Sequence, residues 1–125
     1  MKAWMWLPGA RRAPVRAASG TIERVIAGLR ELREETGYSG APARLMGCVH
    51  PNPAIQSNRC HFVLVEQAAP TAQLEWDADE EIEIATHPVE EVLALAHGGG
   101  ITHGLVLDAL LFFERIWREE LKPGR

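Results

Sequence analysis

Apolar residues recur at Ile22, Val25, Ile26, Leu29 and Leu32, the three- and four-residue spacing of one helix face. The pattern predicts a helix from near Thr21 to Thr36 with that stripe buried and Glu31, Glu34 and Glu35 on the opposite side. Gly37 ends it as a left-handed cap. Gly28, inside it, costs about 1 kcal/mol relative to alanine and so predicts close backbone packing. After the turn from Tyr38 to Pro42, residues Ala43 to His50 read as a strand interrupted by Gly47, and Pro51 to Arg59 as a polar, proline-broken loop. Cys60 to Glu66 is the clearest strand, apolar almost throughout, as expected for a position covered on both faces. Ile82 to Thr86 alternates like a half-buried strand. Pro88 suits the first turn of a helix whose positive end Glu90 and Glu91 complement, and Gly98, Gly99 and Gly100 break the chain. A last helix is expected from about Thr102 to Leu121. Its stripe of Val106, Ala109, Leu110, Phe113, Ile116 and Trp117 is widened by Leu105 and Phe112. That width leaves two readings open: a face shared with a second subunit, making a homodimer, or a terminal helix buried within its own chain.

Residues 1–20 carry less pattern. Trp4 to Leu7 suits a short strand, while Ala10 to Ala18 mixes alanine and arginine around Pro14 without a period and reads as loop. A chain of 125 residues with 46% hydrophobic content has room for one domain and one site. A net charge of −4 without a basic stripe argues against general nucleic-acid or membrane-surface binding. No apolar run reaches the length of a membrane span and the start lacks a signal-peptide core, so a cytoplasmic location is expected. Cys48 and Cys60 have neither zinc-site spacing nor the density of a disulfide scaffold, and are expected to be buried, reduced thiols. The five histidines show no His-x-x-x-His spacing. His61 is expected in the core and His103 at a helix start.

Chemistry concentrates at the end of the first helix. Glu31, Glu34 and Glu35 are three and four residues apart, so their carboxylates share one patch. Arg30 and Arg33 offset the mutual repulsion only in part, and a hard divalent cation, which prefers several oxygen ligands, is a natural occupant. The run Arg30-Glu31-Leu32-Arg33-Glu34-Glu35-Thr36-Gly37-Tyr38 resembles the second half of the Nudix box, Gly-x5-Glu-x7-Arg-Glu-U-x-Glu-Glu-x-Gly-U, where U is a bulky aliphatic or aromatic residue. Seven positions fit: Arg30, Glu31, Leu32, Glu34, Glu35, Gly37 and Tyr38. The first half departs, with Ile22 where the box has its glutamate and Arg16 where it has its glycine. Glu23 lies one residue later, and Trp6-Leu7-Pro8-Gly9 resembles the entry to the box displaced upstream by six residues. Similarity continues through Asn52-Pro53-Ala54, Asn58-Arg59-Cys60-His61, Asp79 to Glu83 and Gly100 to Gly104, like the downstream half of Nudix hydrolases related to ADP-ribose pyrophosphatases.

The resemblance implies an α/β fold, a Nudix-like α/β/α sandwich with a mixed sheet. It would form one domain over 1–125, with 1–20 irregular, 21–38 the Nudix helix and turn, and 101–121 the terminal helix. The strands that normally precede the box have few residues here, so the sheet is expected to be reduced at its N-terminal side or completed by a partner. The implied chemistry is attack of water on a nucleoside diphosphate linked to another group. Mg²⁺ or Mn²⁺ would bind the diphosphate, neutralise charge and lower the pKa of a bound water. Glu31, Glu34 and Glu35 would be the metal ligands, with a glutamate of this set as general base, and Arg30 would orient a carboxylate. Arg59 would meet a substrate phosphate and Asn58 a ribose or base. Some relatives take their base from a loop well after the box, which makes Glu80, Glu81 and Glu83 weaker candidates for that role, with Glu81 also for substrate contact, since an acidic run is more often a solvated turn. The altered first half keeps a second reading open, a catalytically silent nucleotide-binding or oligomerising module.

Overall fold

The computed structural model describes residues 6–7, 20–71 and 84–124. The predicted first helix forms as α1, Thr21–Thr36, between two left-handed glycines, Gly20 at φ 87° and Gly37 at φ 75°. The Gly37 N–H donates to the Arg33 carbonyl at 2.9 Å, satisfying one of the carbonyls that a helix end leaves open. Strand β1 (Trp6–Leu7) precedes this helix. It is followed by β2 (Tyr38–Ser39), β3 (Ala43–Val49), β4 (Cys60–Glu66), β5 (Ala69–Pro70), α2 (Val89–His97) and α3 (Gly104–Ile116), which runs on into a π-helical turn, Trp117–Leu121.

One sheet has the order β1-β4-β3, with β1 parallel to β4 through Trp6 opposite Val65 and Leu7 opposite Glu66. The Glu66 N–H donates to the Pro42 carbonyl at 2.8 Å, so the end of β4 meets the approach to β3 and these two strands run antiparallel. The sheet is therefore mixed. A separate antiparallel ribbon pairs β2 with β5, Tyr38 opposite Pro70 and Ser39 opposite Ala69.

The chain partitions into two compact units, and β3 and β4 pass through both. Among the described residues one unit takes in 6–7, 20–44, 63–71 and 84–86, and the other 45–62 and 87–124. The first is centred on Leu32, Val65 and Ala68, with Leu29, Tyr38, Ala43 and Val63 packed around them. A methyl group added at Gly28 would lie 2.9 Å from Val63 Cγ2, so the helix backbone sits directly against β4 there, the close packing its glycine predicts. This contact corrects the expected stripe. The line Gly28, Leu32 and Glu35 faces inward, and Ile22 and Ile26, turned away from that line, are 52% and 58% exposed. Glu35 accordingly lies on the buried side of the helix instead of opposite it.

In the second unit the stripe of α3 is buried within the chain. Ala109, Leu110, Phe113, Ile116, Trp117 and Leu121 are covered, together with Leu93 of α2. Phe112 lies against Phe62, ring centroids 6.0 Å apart, and over Gly47, where a side chain would collide with its ring. His103 caps α3 by accepting the Leu105 N–H on Nδ1 at 3.2 Å, which starts the helix two residues later than expected. Pro88 stands at the N-cap of α2, just before its first turn. Trp117 Nε1 donates to Glu90 Oε1 at 2.9 Å, and Lys122 Nζ reaches the same oxygen at 3.1 Å. These contacts tie the terminal turn to the start of α2 and hold the Glu90 carboxyl below its ordinary range, the indole hydrogen bond first and the ammonium second.

Three further expectations change. Ile84 to Thr86 lie outside any strand and are exposed, while Ile82 and Glu83 fall outside the described residues. Cys48 is exposed, because it sits near the end of β3 where the chain leaves for the exposed loop 50–59. Cys60 is half-buried and its thiol is pushed up by desolvation. Both cysteines are free, as expected.

Candidate active site

The last two turns of α1 carry Arg30, Glu31, Glu34 and Glu35 at consecutive positions of one helical surface. Two contacts set where that surface points. Gly28 lets the helix backbone rest on Val63, and Leu32 enters the core beside Val65. With those positions facing inward, Glu31 and Glu34 lie at the margin, half-buried, and Glu35 is drawn under the helix to 6% exposure. Burying a carboxylate is costly unless it is engaged, and neither Glu31 nor Glu35 is without a partner.

Arg30 Nε stands 3.9 Å from Glu34 Oε1, with both side chains substantially solvated. That separation is an ion pair and too long for a hydrogen bond. Such an exposed pair contributes a few tenths of a kcal/mol to a helix, so it yields readily to a stronger cation. The donor chemistry therefore suits a hard divalent ion: three carboxylates within five residues, one of them in a weak exchangeable pair. Their present rotamers do not gather around a common point, and among the described residues no three His, Cys, Asp or Glu side chains are arranged to hold a metal.

The helix end is tightly built. Thr36 Oγ1 donates to the Leu32 carbonyl at 2.6 Å and accepts the Tyr38 N–H at 3.2 Å. The Gly37 carbonyl accepts the Thr71 N–H at 2.8 Å, and the hydroxyls of Ser39 and Thr71 pair across the ribbon. Sequence reasoning passes over Thr36, although a threonine four residues after a helical carbonyl at a helix terminus is a recurrent back-bonding position.

Two of the candidates for substrate contact fall in the other unit. Asn58 and Arg59 are exposed in the loop before β4 and belong to the unit that contains α3. Glu80, Glu81 and Glu83 lie outside the described residues. Glu23 is exposed in the first turn of α1. His61 is half-buried on β4 and His103 serves as a helix cap.

A NUDIX domain model matches residues 21–109. No curated protein matches the chain. Among solved structures the fold is similar to a crystal structure of an ADP compounds hydrolase, with a TM-score of 0.64 at 21% identity over 74% of this chain and 49% of that one. This chain thus spans about half the length of that structure. No helix among the described residues is long and apolar enough to cross a membrane.

Proposed function

Because the chain belongs to the Nudix family, we propose that it is a divalent-metal-dependent pyrophosphohydrolase. Its substrate would be a nucleoside diphosphate joined to a second group. The observation that carries this reading is the placement of Glu31, Glu34 and Glu35 on the final turns of a helix whose backbone packs closely against a strand. Those three would hold Mg²⁺ or Mn²⁺, which when bound neutralises charge on the diphosphate and activates water. The protein's own part is to orient and to move a proton. Glu31 or Glu34 accepts the proton of the attacking water as the new phosphorus–oxygen bond forms, and the bond to the bridging oxygen breaks to release a nucleoside monophosphate and the phosphorylated second group. Arg30, which here pairs with Glu34, would steer a carboxylate or a phosphate oxygen. Arg59 and Asn58 would meet phosphate and ribose or base, with Glu81 a further substrate contact. An ADP-linked diphosphate is the substrate class favoured, in keeping with the ADP compounds hydrolase that shares the fold. Free Cys48 and Cys60 suit a reducing, cytoplasmic setting.

The departure at Ile22 favours a second reading, a silent nucleotide-binding module, because that side chain is exposed and apolar where the box places a glutamate. The test is product release from ADP-ribose, dinucleoside polyphosphates and nucleoside triphosphates with Mg²⁺ or Mn²⁺, comparing the parent with Glu34→Gln. Turnover lost both in EDTA and in the variant supports the hydrolase. Nucleotide binding without turnover in a folded protein supports the module instead.

A further inference from the structure

We infer that Thr36 is a positioning residue, whose hydroxyl couples the carboxylate-bearing end of α1 to the β2–β5 ribbon. Its catalytic meaning rests on the hydrolase reading above. A helix end left to solvent frays on its own, and a hydroxyl four residues after a helical carbonyl can bond back to it beside the backbone N–H. Here the Leu32 carbonyl receives the Thr36 hydroxyl at 2.6 Å, and the same oxygen takes the Tyr38 N–H at 3.2 Å. One hydroxyl thus bridges the last turn of α1 and the first residue of β2. From there the connection continues through further hydrogen bonds. The Thr71 N–H donates to the Gly37 carbonyl at 2.8 Å, the Thr71 hydroxyl pairs with that of Ser39, and the ribbon register sets Tyr38 against Pro70. Glu34 and Glu35 sit immediately before this clamp. Rotation or unwinding of the last turn would move both carboxylates, and ligand geometry tolerates about 0.5 Å of misplacement.

Valine at position 36 keeps the shape and removes the hydroxyl, whereas serine keeps the hydroxyl. Three readouts apply to the intact chain: amide hydrogen exchange at 34–39 and 71, Mn²⁺ binding followed by its electron paramagnetic resonance, and turnover. Thr36→Val is expected to speed exchange at Gly37, Tyr38 and Thr71. It should also weaken Mn²⁺ binding and lower kcat on the order of tenfold, with KM changed less. Thr36→Ser should restore all of these to within about twofold, the pattern expected of a preserved clamp. Exchange unchanged in Thr36→Val overturns the coupling. Faster exchange with Mn²⁺ affinity unchanged overturns the positioning role. A parent protein that binds no Mn²⁺ overturns the hydrolase reading and the catalytic meaning of Thr36, while exchange still decides whether the clamp exists. Should Thr36→Val fail to fold, Thr71→Val removes only the hydroxyl pair with Ser39. It is expected to speed exchange at 37–39 and weaken Mn²⁺ binding together, and an unchanged Mn²⁺ affinity beside faster exchange overturns the proposal.

Discussion

Helices α1 and α3 invest their apolar residues in opposite ways. In α3 the hydrophobic stripe and the buried face coincide, and the charges stay outside in pairs: Arg118 with Glu114 at 3.0 Å, Arg115 with Glu119 at 3.3 Å. In α1 they do not coincide. Ile22 and Ile26 are exposed while Glu35 is covered, because Gly28 and not the isoleucines meets the sheet. A helix whose only task is to fill a core turns its largest apolar side chains inward. One that carries a carboxylate array is oriented by where the backbone can approach closely, and the apolar flank is left over. The difference gives α3 the larger part in stability, while α1 presents the carboxylates on which the proposed chemistry rests.

The largest effect should come from opposing mutations in the two stripes. Phe113 is fully buried, with Trp117 against it at a centroid distance of 6.3 Å. Phe113→Ala is expected to lower unfolding stability by about 3–5 kcal/mol. Ile26→Ala, although it removes a large apolar residue from a helix, should stay within about 0.5 kcal/mol. Urea unfolding of both variants measures the contrast. An Ile26→Ala cost comparable to that of Phe113→Ala would show that the two helices are used alike.

A smaller effect is expected at the contact that rotates α1. Valine at position 28 would bring its Cβ within 2.9 Å of Val63 Cγ2 and 3.1 Å of Val63 Cβ, and the latter cannot swing away because it is fixed to the strand backbone. Gly28→Val should therefore cost about 1–3 kcal/mol by overpacking, even though valine is the better helix former. Because the strain displaces the carboxylate helix itself, turnover or Mn²⁺ binding should fall by more than the loss of stability explains. A variant as stable as the parent would mean that α1 does not depend on close approach at this position.

What was legible in the sequence divides along the same line. The span of α1, its Gly37 cap, the close approach at Gly28, β3 and β4 and the α3 stripe follow from spacing, since each is fixed by local periodicity or by a residue of special backbone freedom. The rotation of α1 was not legible. Five apolar residues at helical spacing outweigh one glycine in any periodicity count, but a glycine admits the nearest neighbour and so selects the face. The carboxylates were readable from their motif as a candidate set, while burial of Glu35 followed from that rotation. Thr36 was missed because its partners are backbone groups, which leave no pattern in side-chain chemistry. The exposure of Cys48 was missed because a strand's apolar run does not show where a neighbouring loop uncovers its end.

The smallest effect tests the charges that hold the terminal turn. Glu90 faces Trp117, Lys122 at 3.1 Å and Arg118 at 4.0 Å, and its carboxyl is held below its ordinary range. A carboxyl depressed in the folded state adds stability above its unfolded value and loses it as pH falls through the folded one. Glu90→Gln keeps an oxygen that accepts the indole N–H but removes the titrating charge. The parent should therefore exceed the variant in urea midpoint at neutral pH, and the gap should close in acid, beginning near the ordinary carboxylate value and ending below it. Glu114 is depressed likewise, first by His97 at 2.9 Å and then by Arg118, but it is present in both proteins and cancels in the difference. High salt should shrink the neutral-pH gap, since these groups are solvated. The absence of a gap at neutral pH would mean that Glu90 serves only as an acceptor for Trp117, so that the packed helix owes nothing to this charge and the contrast with α1 is sharper still.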